Sequence, residues 1–156
     1  LKNPYVPELA VIEETRVEAP GVKTFKLKLR HGGMFTFTPG QFIELSVFGY
    51  GEAPFSVSSS PLQRDFFEVT VRKTGMLTSA LFELERGNTV GVRGPFGNGW
   101  LIEKMKKYSI LMIGGGIGIA PLKPVIEYVV ANRKDYEEVI LLYGAKTPKD
   151  IVFKKE

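Results

Sequence analysis

The chain has 156 residues, 44% hydrophobic and 24% charged, with a formal net charge of +4. That length supports a well-buried core, and no stretch approaches the roughly 20 apolar residues of a membrane-spanning helix, so membrane insertion is not expected. With no cysteine and a single histidine, His31, the sequence offers no disulfide framework and no Cys/His metal site, and it contains no D-x-D-x-D-G calcium loop.

In chain order, the opening LKNPYVPEL has no apolar signal-peptide core and begins at Leu1, which predicts a trimmed N-terminus. Short alternating segments follow up to about residue 103: AVIEETRVE, VKTFKLKL, QFIELSVF, FFEVTVRK and TVGVRGPFG. In the second of these, Phe25, Leu27 and Leu29 share one face while Lys26 and Lys28 take the other; Phe67, Val69 and Val71 repeat the pattern. Gly- and Pro-rich spacers such as TPGQ (38–41) and GYGEAP (49–54) supply turns. The segment TSALFELERG (78–87) breaks the alternation and predicts a short capping helix, with Thr78 as N-cap and Gly87 as stop. These elements predict an all-β antiparallel barrel of about six strands, with Greek-key connections and one capping helix.

After Lys107 the period changes. YSILMIGGG predicts a strand buried on both faces, APLKPVIEYVVANRK a helix and EEVILLYGAK a second buried strand. One β-α-β unit is the start of an α/β doubly wound domain, which ordinarily carries about five or six strands. The expected organisation is a barrel over 1–103 and the first part of a nucleotide-binding domain over 104–156, continuing beyond Glu156.

Two features point to anionic ligands. GGGIGIAP (114–121) lies between strand and helix, where glycines let a backbone approach a pyrophosphate; Pro121 stands where the last glycine of G-x-G-x-x-G would fall. Gly75, Met76 and Leu77 lead into the Thr78 helix start, whose first-turn N–H groups are free for an anion, and the cations Arg72 and Lys73 precede it. GPFG (94–97) reads as a turn. Each alone is also what a plain turn or helix start would show. The basic residues are scattered, and paired exposed aromatics and clustered arginines are lacking, so a nucleic-acid-binding barrel is the poorer reading.

The ordered set of FTPGQFIELSVFGYGEAPFSVSSSP, VRKTGMLTSALFELERGNTVGVRGPFGNGW, ILMIGGGIGIAP and LLYGAKTPKDIVF resembles the ferredoxin–NADP reductase superfamily, in which a flavin-binding barrel precedes a pyridine-nucleotide domain. It is most similar to electron-transfer subunits of that superfamily: the gamma subunits of cytoplasmic sulfhydrogenases, with those of anaerobic sulfite reductase and dihydroorotate dehydrogenase close behind. The resemblance implies a cytoplasmic oxidoreductase subunit that passes electrons between NAD(P)H, a bound FAD (FMN being the alternative) and an iron–sulfur or hydrogenase-type partner. It places the isoalloxazine against Pro54, Phe55, Ser56 and Val57, with the Ser56 hydroxyl near N5 as the catalytic group. Val71, Arg72 and Lys73 would follow the ribityl chain and phosphate, and Gly75, Met76, Leu77 and Thr78 would hold the pyrophosphate. Gly115, Gly116, Gly118, Ala120 and Pro121 would receive the nicotinamide nucleotide, with Tyr143, Gly144 and Ala145 lining the same cleft.

Two departures qualify the match. The superfamily motif R-P-Y-S starts with arginine, where this chain has Ala53 preceded by Glu52, and its tyrosine is Phe55. Losing that charge-assisted hydrogen bond to phosphate costs about 1.5–3 kcal/mol unless Arg72 substitutes; a non-catalytic docking module that has lost flavin is the alternative it raises. Relatives also carry cysteines for a [2Fe–2S] cluster near their C-termini, and a chain without cysteine places any such cluster in a segment beyond the one given.

Overall fold

The alternating segments form six strands: β1 (Glu8–Ala19), β2 (Val22–Leu29), β3 (Phe42–Val47), β4 (Gly51–Ser56), β5 (Phe67–Arg72) and β6 (Thr89–Phe96). The structure is a computed structural model that describes residue 3 and residues 5–154. The strands make one antiparallel sheet in the order β4-β3-β6-β1-β2-β5. Hairpins join β1 to β2 and β3 to β4, and β6 returns between β3 and β1 in Greek-key fashion. Strand β1 is long enough to pair with β6 through Glu8–Val11 and with β2 through Ala19, and register shifts at Ile12/Glu14 and Val17/Ala19 bend it around the core.

The inward faces of Ile12, Phe25, Leu27, Ile43, Leu45, Val69 and Val90 fill the interior. Phe35 joins them from the 30–41 connection between β2 and β3, outside every predicted strand; it stacks on Phe67 with ring centroids 4.0 Å apart and is buried. The sheet is barrel-like without being closed by a full ladder. Its two edge strands, β4 and β5, meet through an isolated bridge, Val57 to Val69, and one flanking bond from Ser58 N–H to the Glu68 carbonyl at 2.8 Å. Toward Pro54 and Arg72 the ladder does not continue, so backbone groups along that split stay open.

Helix α1 (Met76–Phe82) caps the barrel through Leu81, which is fully buried. It starts earlier than the sequence predicts: Gly75 is the N-cap and Thr78 lies in the first turn. The Thr78 hydroxyl folds back to accept from the N–H groups of Thr74 (2.9 Å) and Gly75 (2.8 Å), so it serves the cap from inside the helix. The helix ends at Phe82, ahead of the predicted Gly87, where Lys23 Nζ donates to the carbonyls of Phe82 (2.9 Å) and Leu84 (3.3 Å). GPFG also differs from the predicted turn. Gly94 and Pro95 lie within β6, because Phe96 continues the ladder opposite Phe42.

The second part comprises β7 (Ile110–Gly115), α2 (Ile119–Ala131) and β8 (Val139–Gly144), with β7 and β8 parallel. Ile110 and Met112 pack under Val125 and Val129 of α2. The other face, carrying Leu111, Ile113, Ile140 and Leu142, is 40–68% exposed. The expectation of strands buried on both faces therefore holds on one face of β7, under α2 and Ile102, and not for β8, where Leu141 on that same side is also exposed. Ile119 meets Ala19 and Val22 at the β1–β2 turn, which joins the two parts.

Candidate functional site

A cleft of about 690 Å³ lies where the barrel meets the carboxyl ends of the parallel strands, the position at which open α/β sheets bind ligands. Its walls combine the β1–β2 turn (Ala19–Val22), Arg72 and Lys73 at the end of β5, Gly115 to Ile117 after β7, and Gly144 to Lys146 with Asp150 after β8. Of the residues singled out from the sequence, Arg72, Lys73, Gly115, Gly116, Gly144 and Ala145 converge here.

The glycine loop is built for close approach. Gly116 has φ +52, a left-handed conformation, and a Cβ there would lie 3.4 Å from Arg72 Nη2, so the guanidinium of the barrel rests on the loop. Gly115 and Gly118 face open space. Gly114 serves packing instead, since a Cβ there would come within 3.2 Å of Leu122 Cδ1. Tyr143 orders the loop: its hydroxyl donates to the Gly116 carbonyl and accepts from Val152 N–H, each at 3.0 Å. The backbone of Lys73 is fixed to the β1–β2 turn by its N–H to the Gly21 carbonyl at 2.9 Å.

The cleft is cationic, with Arg72, Lys73 and Lys146 against Asp150. The Asp150 carboxylate is occupied locally by Thr147, which donates both its N–H (3.1 Å) and its hydroxyl (2.8 Å). Lys73 leans toward α1, with Nζ 3.8 Å from Glu83 and over the Phe82 ring. Three cations beside exposed loop backbone suit a polyphosphate.

The remaining predicted residues lie outside this cleft. Alternation turns Phe55 and Val57 toward the core and leaves Pro54 and Ser56 on the outer face of β4, bordering the split with β5. Val71 is buried by its side chain, so only its backbone reaches outward. Ala120 is likewise buried, and Pro121 sits in the first turn of α2. Met76 is 73% exposed, and the first-turn N–H groups of Met76, Leu77 and Thr78 have no intrahelical acceptor by position. Glu52, which precedes Ala53 at the motif start, pairs bidentately with Arg93 of β6, Nε to Oε2 at 3.1 Å and Nη2 to Oε1 at 2.5 Å. Arg93 holds the Glu52 carboxyl below the usual carboxylate range, chiefly by hydrogen bonding.

Sequence reasoning missed the Pro20–Gly21 turn and Lys146. Lys146 follows the end of β8, and its place at a strand's carboxyl end is the signal that marks it. The Pro20–Gly21 pair marks the β1–β2 connection as a turn, but nothing local marks it as a wall of the cleft; only the fold brings it to the loop.

Residues 8–100 match the oxidoreductase FAD-binding domain family and residues 112–156 the oxidoreductase NAD-binding domain family. The chain belongs to the FAD-binding oxidoreductases of the ferredoxin–NADP reductase superfamily. It is 42% identical to sulfhydrogenase 1 subunit gamma of Pyrococcus furiosus over 122 residues, covering 78% of this chain and 42% of that one. Sulfhydrogenase 2 subunit gamma of the same organism is 37% identical over 99% of this chain and 54% of its own length. A probable dihydroorotate dehydrogenase B (NAD(+)) electron transfer subunit, also from Pyrococcus furiosus, is 37% identical over 93% of this chain and 51% of its own. The chain thus spans about half the length of the curated relatives it matches. The fold is shared with phthalate dioxygenase reductase (TM-score 0.82, 19% identity, 93% of this chain and 46% of that one). The flavohem-like FAD/NAD-binding domain of Vibrio cholerae nitric oxide dioxygenase superposes with a TM-score of 0.85 at 21% identity, over 96% of this chain and 67% of that one. Among the described residues no helix is long and apolar enough to cross a membrane, and no acidic or histidine cluster could hold a metal ion.

Proposed function

We propose that this chain is the flavin-and-nucleotide part of an NAD(P)H oxidoreductase subunit that delivers electrons to an iron–sulfur or hydrogenase-type partner protein in the cytoplasm. The observation that carries the reading is that Arg72 and Gly116 approach each other across one cationic cleft, which lies between a segment of the FAD-binding family and a segment of the NAD-binding family.

Bound flavin would supply the redox chemistry, accepting a hydride from NAD(P)H and releasing electrons singly. The chain's own residues place the reactants. Pro54 and Ser56 border the split beside β5, where the Ser56 hydroxyl is the group offered to a ring nitrogen. The exposed first turn at Gly75 to Thr78 and the cations Arg72 and Lys73 offer donors to phosphates. Arg72 compensates for the arginine replaced by Ala53, while Arg93, the other cation near that position, is held by Glu52. The open backbone at Gly115 and Gly118, with Pro121 behind, receives the nicotinamide nucleotide, and Gly144 to Lys146 form its far wall. The open aliphatic face of β7 and β8 supports reading 104–156 as the front part of a wider nucleotide domain.

Purified full-length protein reconstituted with FAD should be yellow, and anaerobic NADH or NADPH should bleach the flavin bands. A protein that stays colourless after incubation with FAD and with FMN overturns the reading and favours the docking-module alternative.

A further inference from the structure

We infer that Lys123 is a positioning residue that clasps helix α2, and with it the glycine loop, to the barrel through Glu68. The inference deepens the proposed function, since it rests on that reading for what the clasp positions.

Lys123 lies one turn after Ile119 on the same face of α2, and both are buried. The helix therefore leans on the barrel at two points. Ile119 makes the apolar one against Ala19 and Val22. Lys123 makes the ionic one: its Nζ is 3.5 Å from Glu68 Oε2 and 2.9 Å from Glu127 Oε1, and it lies over the Phe153 ring at 5.1 Å. Side-chain exposures of 10% for Lys123 and 8% for Glu68 put this pair in the interior of the junction. The other oxygen of Glu68 takes a 2.7 Å bond from Arg16 Nη1 of β1, so the carboxylate is held on the barrel side as well.

The geometry gives the clasp a purpose. Residues 68, 70 and 72 share the outward face of β5 by strand alternation. That face grips α2 at Glu68 and reaches the loop at Gly116 through Arg72. One strand thus sets both the seating of the helix that follows the glycine loop and the cation on the loop itself. A shift at Lys123 would move the nucleotide wall relative to the flavin wall, and a misplacement of about 1 Å is enough to slow a transfer reaction strongly.

The test compares Lys123→Met, which keeps the length and removes the charge, with Lys123→Arg and Glu127→Gln. In hydrogen–deuterium exchange of the flavin-free full-length protein, Lys123→Met should speed exchange about tenfold at residues 68–72 and 116–123 and leave Ile43 to Val47 of β3, which pairs with β4 and β6 and not with β5, unchanged. Lys123→Arg should restore protection. Glu127→Gln, which removes the partner on the helix itself, should leave 68–72 unchanged. In flavin-loaded protein, Lys123→Met should slow flavin bleaching at saturating NADH about tenfold while nucleotide affinity changes less than about threefold. Unchanged exchange at 68–72 in Lys123→Met, a rise spread over the whole barrel in that variant, or an equal effect from Glu127→Gln overturns the clasp. Failure to bind flavin overturns the functional reading instead, and leaves the exchange result to judge the clasp by itself.

Discussion

Leu81→Ala tests how α1 is held. Leu81 is the buried residue of a helix that is too short to persist without packing. The substitution removes about three carbons, which at about 0.8 kcal/mol each gives about 2.4 kcal/mol of lost transfer energy. Partial relaxation around the cavity raises the cost to about 3–4 kcal/mol. With a urea slope of about 2 kcal/mol/M, the unfolding midpoint should fall by about 1.5–2 M. The helix presents the backbone of Met76 to Thr78, so the same variant should weaken FAD binding about tenfold under conditions where the barrel remains folded, read by flavin fluorescence quenching. A midpoint shift below about 0.5 M, equivalent to about 1 kcal/mol, would refute the reasoning that Leu81 docks the cap.

Ser56→Ala should slow flavin reduction by NAD(P)H in stopped-flow more than it weakens nucleotide binding; an unchanged reduction rate removes the role assigned to the hydroxyl. Lys23→Met deprives the Phe82 and Leu84 carbonyls of their ammonium donor and should cost about 1–2 kcal/mol in denaturant unfolding. Gly99→Ala should be destabilising by about 2–3 kcal/mol, because its Cβ would lie 2.7 Å from Thr38 Cγ2 and 3.0 Å from the Pro39 carbonyl at a φ of +69. The Glu52 carboxyl is held below its usual range by Arg93, so the stability it contributes is complete above the ordinary glutamate range and is lost as pH falls through the lowered value. Glu52→Gln should therefore flatten the acid limb of thermal stability against pH, with little change in the shape of the curve above neutrality.

Alternation alone determined the barrel-type first part, because each of its strands has one face on a common core and the period of two is written in residues such as Phe25, Leu27 and Leu29. The change to an unbroken apolar run, a helix and a second run determined the β-α-β unit, and the glycine run marked its loop. The sequence likewise carried Arg72, Lys73 and Gly116 as separate candidates. Tertiary structure alone decided that Arg72 lies on Gly116, that the Pro20–Gly21 turn completes the cleft, that Phe35 plugs the core and that Thr78 caps its helix from within. It also decided the partners of Glu52 and Lys123, which are Arg93 and Glu68, 41 and 55 positions away in the chain. Local pattern records which face of an element is apolar; which charge meets which depends on how strands far apart in the chain are brought side by side, and no local periodicity encodes that.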